Sequence, residues 1–209
     1  MSENRGKVIV GLTGAFGSGK STVDHLVEEL GACVVDADRL AHETLWPGNP
    51  AYEKIESLFP EARRADGSGP DPKKIAEIVF KDAARRGKLE AIVHPYVFSR
   101  MEEEIAEAEE KVVVLEIPLL FETGMDSFCD VTVAVTADET LIRERLLEKG
   151  YSAQEIEARQ KAQLPASEKA KRAKKVIMNS GTLKETRREV EKVWKDLHPV
   201  FKGDPKGNA

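Results

Sequence analysis

Short, near-continuous apolar runs alternate along the chain with longer stretches whose apolar positions recur at three- and four-residue intervals. The first pattern marks strands buried on both faces, and the second marks amphipathic helices. The apolar runs fall at 7–12, 33–35, 112–117, 131–135 and 175–178. Helical spacing occupies 23–30, and further helices carry start signals. Thr136 with Glu139 precedes 137–149, Ser152 with Glu155 precedes 153–163, and Thr182 with Glu185 precedes a last helix ending near 197. Each is a hydroxyl followed three residues later by a glutamate, the pattern in which side chains and backbone N–H groups cap one another.

Between 40 and 110 helical signals dominate. Pro50 and Pro72 stand where a first helical turn accepts proline. The stretch from Ala65 to Pro70, rich in glycine and polar residues, reads as a loop. Val93-His94-Pro95 is expected to interrupt the helical pattern before 98–110, because a residue preceding proline is pushed out of helical backbone. Strands alternating with helices predict an α/β protein. Its parallel five-stranded sheet has helices on both faces, in three layers. The 209 residues fit one domain with core segments 7–38, 111–138 and 174–200. The stretch of about 39–110 is too long for a simple crossover. It is expected to form a helical insertion near the strand ends, where ligands bind in such sheets. A helical lid is expected at about 139–173, and 202–209 reads as a flexible tail.

Composition narrows the class. Hydrophobic residues make up 41% of the chain, charged residues 33%, and the formal net charge is −5. An acidic balance speaks against nucleic acid as the main partner. The cysteines, Cys33 and Cys129, have neither metal spacing nor a disulfide pattern, and both read as buried or half-buried thiols. No run approaches a membrane span, and the polar 1–7 segment carries no leader signal, so the expectation is a cytoplasmic protein. Oligomeric state is not legible.

The sharpest local signal is Gly14-Ala15-Phe16-Gly17-Ser18-Gly19-Lys20-Ser21-Thr22, which fits the P-loop pattern between a strand and a helix. Glycines let backbone N–H groups turn inward round phosphate oxygens, and the helix presents its positive end to the same anion. The cradle is therefore expected from Gly14, Gly17, Ser18, Gly19, Lys20, Ser21 and Thr22, binding ATP with Mg²⁺. Lys20 would reach the β- and γ-phosphates, and the Ser21 hydroxyl would coordinate the metal.

Carboxylates at strand ends extend the site. Asp36 and Asp38 are two apart at the end of the second run, so in extended backbone they face one side. One would accept a proton and the other order Mg²⁺ through water, or either would cap the next helix. Glu116, in an otherwise apolar strand, is expected to hold the metal's water shell or to pair with a lid arginine. Arg143, Arg145, Lys149 and Arg159 flank a hinge at Gly150-Tyr151, and Arg145 and Arg159 are the favoured phosphate contacts. His42, one turn after Asp38, is a candidate for the acceptor site, and His94 is expected to project from non-helical backbone. His25 and His198 read as surface residues.

Taken together, Gly11 through Thr22, Val35-Asp36-Ala37-Asp38, Val93-His94-Pro95 and Ile117-Pro118-Leu119-Leu120-Phe121-Glu122 closely resemble the dephospho-CoA kinase family. So do Arg159, Ala162-Gln163, Glu168-Lys169 and the stretch from Val176 to Gly181. The resemblance implies a nucleoside-kinase-like core, a CoA-binding helical domain and a lid. It also implies ATP-dependent phosphorylation of the ribose 3′-hydroxyl of dephospho-CoA, the last step of coenzyme A synthesis. It further implies Asp38 as general base and Arg145 on the phosphates. His94, Pro118, Leu119 and Glu122 would lie by the acceptor, and Asn179 near the adenine. The chain departs from the family pattern where a second lid arginine is replaced by Lys149, and where a polar residue is missing at Ile142. A related small-molecule or nucleoside monophosphate kinase remains an alternative, as does a P-loop regulatory ATPase.

Overall fold

In the computed structural model, residues 6–201 are described, the side chains of 198–201 excepted. The expected tail 202–209 and the side chain of His198 lie outside the described residues. Two compact units emerge, one formed by 1–35 with 108–209 and one by 36–107.

The first unit is built on a five-stranded sheet. Its strands are β1 (Val8–Gly14), β2 (Cys33–Asp36), β3 (Val112–Glu116), β4 (Val131–Thr136) and β5 (Lys175–Met178). The spatial order is β2-β3-β1-β4-β5, with β1 parallel to β3 and β4, and β4 parallel to β5. Helices α1 (Lys20–Glu29) and α9 (Leu183–Phe201) share one core with Val10, Leu12, Val112, Val114 and Val133. Alternate residues Ile9, Val113 and Ala134 are fully buried as well. Burial on both faces is why these strands read as continuous runs rather than as alternation. The register sets Leu12 beside Glu116 and Gly14 beside Val135, so the end of β1 emerges between its neighbours.

The same unit carries α6 (Glu139–Glu148), α7 (Ala153–Lys161) and α8 (Ala166–Arg172). The capping box at Ser152 and Glu155 forms, and so does the reciprocal pairing of Thr182 with Glu185. The one expected at Thr136 does not. Thr136 is committed to β4 opposite Met178, and its carbonyl accepts from Asn179. Asp138 is the N-cap instead, its own N–H donating to the Ser180 hydroxyl at 2.9 Å. Between α6 and α7, Gly150 takes φ +88°, and the N–H groups of Gly150 and Tyr151 return to the carbonyls of Leu147 and Leu146. This left-handed stop ends α6 and turns the chain into α7.

The second unit contains α2 (Ala37–Glu43), α3 (Tyr52–Leu58), α4 (Pro72–Lys81) and α5 (Ala83–Glu107), the last three packed round Ile55, Phe59, Ala62 and Ile75. Pro72 occupies the first turn of α4 as expected. Pro50 lies outside α3, ahead of its N-cap Ala51. The expected break at Val93-His94-Pro95 is absent, and α5 runs through Pro95 without interruption. The missing N–H costs one helical bond, and proline inside a helix is unfavourable by about 3 kcal/mol. Contacts along α5 offset that. Tyr96 donates to Glu43, Arg100 pairs with Glu43, and Glu104 takes two bonds from Arg39.

Candidate active site

The loop after β1 is the centre of the site. Gly17 and Gly19 sit at φ +83° and +87°, and Ser18 N–H donates to the Ala15 carbonyl at 3.1 Å. Those angles suit glycine because a side chain there would crowd its own backbone. A second constraint acts at Gly19: a Cβ would come within 2.0 Å of Asn179 Nδ2. Lys20 and Ser21 open α1, where backbone N–H groups lack an acceptor within the helix and an anion would bind. Ser18 is fully buried, and its hydroxyl oxygen has no partner among the described residues.

Lys20 Nζ lies 3.6 Å from Glu116 Oε1, with side chains only 11% and 15% exposed. Of the two readings of Glu116, the ion pair is formed, but with the loop lysine and not with a lid arginine. The pairing follows from the parallel register, which ends β3 beside the strand that feeds the loop.

Asn179 underlies the loop. Its Nδ2 donates to the Ser18 carbonyl at 2.8 Å, and its Oδ1 accepts from Thr186 at 2.8 Å. Its own carbonyl accepts from Arg145 at 3.0 Å. Arg145, half-buried on α6, is thereby fixed beside the loop's support. Arg159, on α7, stacks over Phe16 at 4.9 Å and Tyr151 at 5.4 Å, while Phe16 meets Tyr151 edge-on at 5.1 Å. Phe16, Tyr151, Ile142, Leu146 and Ile156 form one apolar cluster. It seats α6 and α7 against the loop. The apolar Ile142 fills this cluster, which gives a packing reason for the missing polar residue there. A cavity of about 660 Å³ adjoins the cluster. Ala15, Phe16, Arg143, Lys161 and Gln163 are among its lining.

Because Asn179 Nδ2 and Oδ1 are both used inside the fold, replacing Asn179 with leucine should leave the Ser18 carbonyl without its Asn179 donor and the Thr186 hydroxyl with only the Thr182 carbonyl, at 3.3 Å. An unsatisfied buried group costs about 1–3 kcal/mol. Chemical denaturation should show a loss of that size or somewhat more, together with weaker nucleotide binding. An unchanged midpoint would show that the loop does not lean on this residue.

Pro118, Leu119 and Glu122 follow β3. The Pro118 carbonyl accepts from the Thr13 hydroxyl at 3.1 Å and from the ammonium of Lys169. Glu122 Oε1 lies 3.0 Å from Lys169 Nζ and accepts the Leu164 N–H at 2.8 Å. Leu119 is partly exposed. Burial pushes the Lys169 ammonium below the usual lysine range; Glu122 pulls it back up, and the charge of Lys20 lowers it further. Sequence reasoning gave Lys169 no structural role and missed α8. The signal was there: Ala166, Lys169, Ala170 and Ala173 fall at helical spacing, so the lysine stands in a stripe that faces the fold.

The second unit positions the remaining candidates. Asp36 closes β2, and its Oδ1 caps α2 by accepting the Arg39 N–H at 3.0 Å. Asp38 lies in the first turn of α2. The expectation that both carboxylates share one face of an extended strand is therefore corrected: only Asp36 is in the strand. His42 is exposed one turn further along α2. His94 is also exposed, but on continuous helix rather than on the irregular backbone expected. Glu43, buried on α2, binds Arg39 and Tyr96 and so ties the helix bearing Asp38 to α5. Burial raises the Tyr96 phenol above its ordinary range, with Glu43 adding to the effect. Among the described residues no three His, Cys, Asp or Glu side chains group as a metal cage, and no helix is long and apolar enough to cross a membrane.

A parallel sheet that delivers a lysine-bearing glycine loop to a helix N-terminus, with a carboxylate on the adjacent strand, defines the P-loop nucleotide-binding fold. The dephospho-CoA kinase family model matches residues 8–185, and the chain belongs to that family. The dephospho-CoA kinase of Geobacillus kaustophilus is 42% identical over 197 residues, covering 92% of this chain and 98% of the relative. A crystal structure of a Thermus thermophilus protein superposes with a TM-score of 0.83 at 38% identity, covering 92% of this chain and 99% of that one. The Campylobacter jejuni dephospho-CoA kinase gives a TM-score of 0.65 at 25% identity, covering 94% and 98%.

Proposed function

We propose that the protein transfers the γ-phosphoryl group of ATP to the ribose 3′-hydroxyl of dephospho-CoA, giving coenzyme A and ADP. The observation that carries this reading is the Lys20–Glu116 pair at the mouth of an intact phosphate loop, in a chain that matches the dephospho-CoA kinase family through both of its units.

The loop's N–H groups and the N-terminus of α1 bind the phosphates, with Gly14, Gly17, Ser18, Gly19 and Thr22 shaping the cradle. Lys20 exchanges Glu116 for the β- and γ-phosphate oxygens, where its charge offsets what develops during transfer. The donor set fits Mg²⁺, an ion that dehydrates reluctantly and is held mainly by phosphates and a few protein oxygens. The Ser21 hydroxyl would hold it directly, and the carboxylates of Glu116 and Asp36 through water. Bound there, the ion would neutralise phosphate charge. Arg145 and Arg159 approach the phosphates from a lid formed by α6 to α8, and Asn179 keeps the loop in shape beneath the nucleotide. Asp38 accepts the proton of the attacking hydroxyl. His42, His94, Pro118, Leu119 and Glu122 contact the acceptor, and the helical unit 36–107 receives the rest of the CoA moiety.

Incubation with ATP, Mg²⁺ and dephospho-CoA is expected to yield coenzyme A, read by mass, with ADP formed only when acceptor is present. Phosphorylation of shikimate or a nucleoside monophosphate in its place would reassign the acceptor. ADP release independent of any acceptor would make the protein an ATPase.

A further inference from the structure

Lys169 is 1% exposed, and its ammonium holds the Pro118 carbonyl and Glu122 together. Through these two partners it reaches three parts of the chain. The Pro118 carbonyl is also bonded by Thr13, the residue of β1 just ahead of loop residue Gly14. Glu122 is also bonded by the N–H of Leu164, in the connection between α7 and α8. One buried cation thus ties the root of the phosphate loop, the turn 118–122 and the base of α8.

Stability alone does not account for such a group. Desolvating a lysine and a glutamate costs as much as their attraction returns, and a well-packed apolar pair of the same size often serves a core better. What an ion pair with directional bonds adds is a fixed geometry. The turn it fixes is short, includes the partly exposed Leu119, and begins one residue after Ile117, whose N–H is bonded to β1 through the Leu12 carbonyl.

We infer that Lys169 is a positioning residue for phosphoryl transfer, acting through Glu122 and Pro118 to hold the acceptor-side turn in register with the phosphate loop. The inference rests on the dephospho-CoA reading for the identity of the acceptor and for its place beside the 118–122 turn. Lys169 would touch neither ATP nor the reacting hydroxyl; it would set where the turn that meets the acceptor stands.

The test uses the full chain, with Lys169→Met, Glu122→Gln and the double variant. Acceptor kinetics, ATP binding by calorimetry and thermal unfolding are measured on each. Each single variant is expected to lower kcat/KM for dephospho-CoA about 10-fold or more, while ATP affinity stays within about 2-fold. The double variant should lose no more than the worse single one, since residues acting as a unit are not additive. Glu122 is itself placed at the acceptor, so Thr13→Val, which removes the other bond to the Pro118 carbonyl, is measured beside it. The same acceptor-specific loss is expected there, and it remains informative if Lys169→Met does not fold. Unchanged acceptor kinetics in any folded variant would overturn the inference. So would losses that add in the double variant, or that fall equally on ATP and acceptor in step with lost thermal stability. A wild-type protein that makes no coenzyme A would overturn the functional reading instead, and with it the acceptor named here.

Discussion

Replacing Asp38 with asparagine is expected to lower kcat by about 10²- to 10⁴-fold while ATP binding is retained, the range typical of a general base. That corresponds to roughly 3–5 kcal/mol of transition-state stabilisation. Asparagine keeps the size of the side chain and its capacity to accept a hydrogen bond, so the first turn of α2 should stay intact. Asp36, and not Asp38, makes the helix cap, so the substitution leaves that bond in place. Arg39, Glu43, Tyr96 and Glu104 bond to one another and hold α2 to α5. The variant should therefore separate chemistry from nucleotide binding: normal nucleotide affinity, slow turnover. A turnover close to wild type would remove Asp38 from the mechanism.

The second large effect is expected at Lys20. Replacement by alanine removes the point charge proposed to meet the β- and γ-phosphates, and losing one such electrostatic contact costs about 10²- to 10³-fold in kcat. It also leaves Glu116 without its 3.6 Å partner at a site only 15% exposed. A half-buried carboxylate left there without a partner carries an uncompensated desolvation cost. The variant should therefore combine lower kcat with weaker ATP binding, and restoring the fold should not restore either. Adding Glu116→Gln would relieve the stranded charge, so thermal stability should partly recover while kcat stays low. Steady-state kinetics and thermal unfolding of the two variants check both halves, and unchanged kinetics in Lys20→Ala would contradict the assignment of the loop.

Much of this architecture was legible in the chain itself. The strands read correctly because a sheet covered on both faces leaves runs of apolar residues with little alternation, as in 112–116. The phosphate loop read correctly because its constraints are local: Gly17 and Gly19 must reach positive φ, and the lysine must open the helix. The misreadings have physical causes as well. Pro95 was weighed by its local cost, which the partners of Tyr96, Arg100 and Glu104 along α5 outweigh. Thr136 has the spacing of a cap, but its backbone is already committed to β4, so Asp138 takes that place.

Long-range roles left the weakest trace. Asn179 supports a carbonyl 161 positions away, and no spacing rule encodes that. Lys169 looks like solvated surface until α8 is recognised and its face found to be occupied. Asp36 offered two readings from sequence, metal ligand or helix cap. The cap is the bond that is formed, and the metal role remains a proposal that only a bound ion can test.

The central claim is that Asp38 draws the proton from the ribose 3′-hydroxyl while Lys20 holds the phosphate that is transferred. A crystal structure with dephospho-CoA and a non-hydrolysable ATP analogue tests it most directly. The account predicts an Asp38 carboxylate oxygen about 2.6–3.2 Å from the 3′-hydroxyl, with Lys20 Nζ moved from Glu116 onto the terminal phosphates. A bound acceptor whose 3′-hydroxyl lies out of reach of Asp38, with that carboxylate turned to solvent, would contradict it.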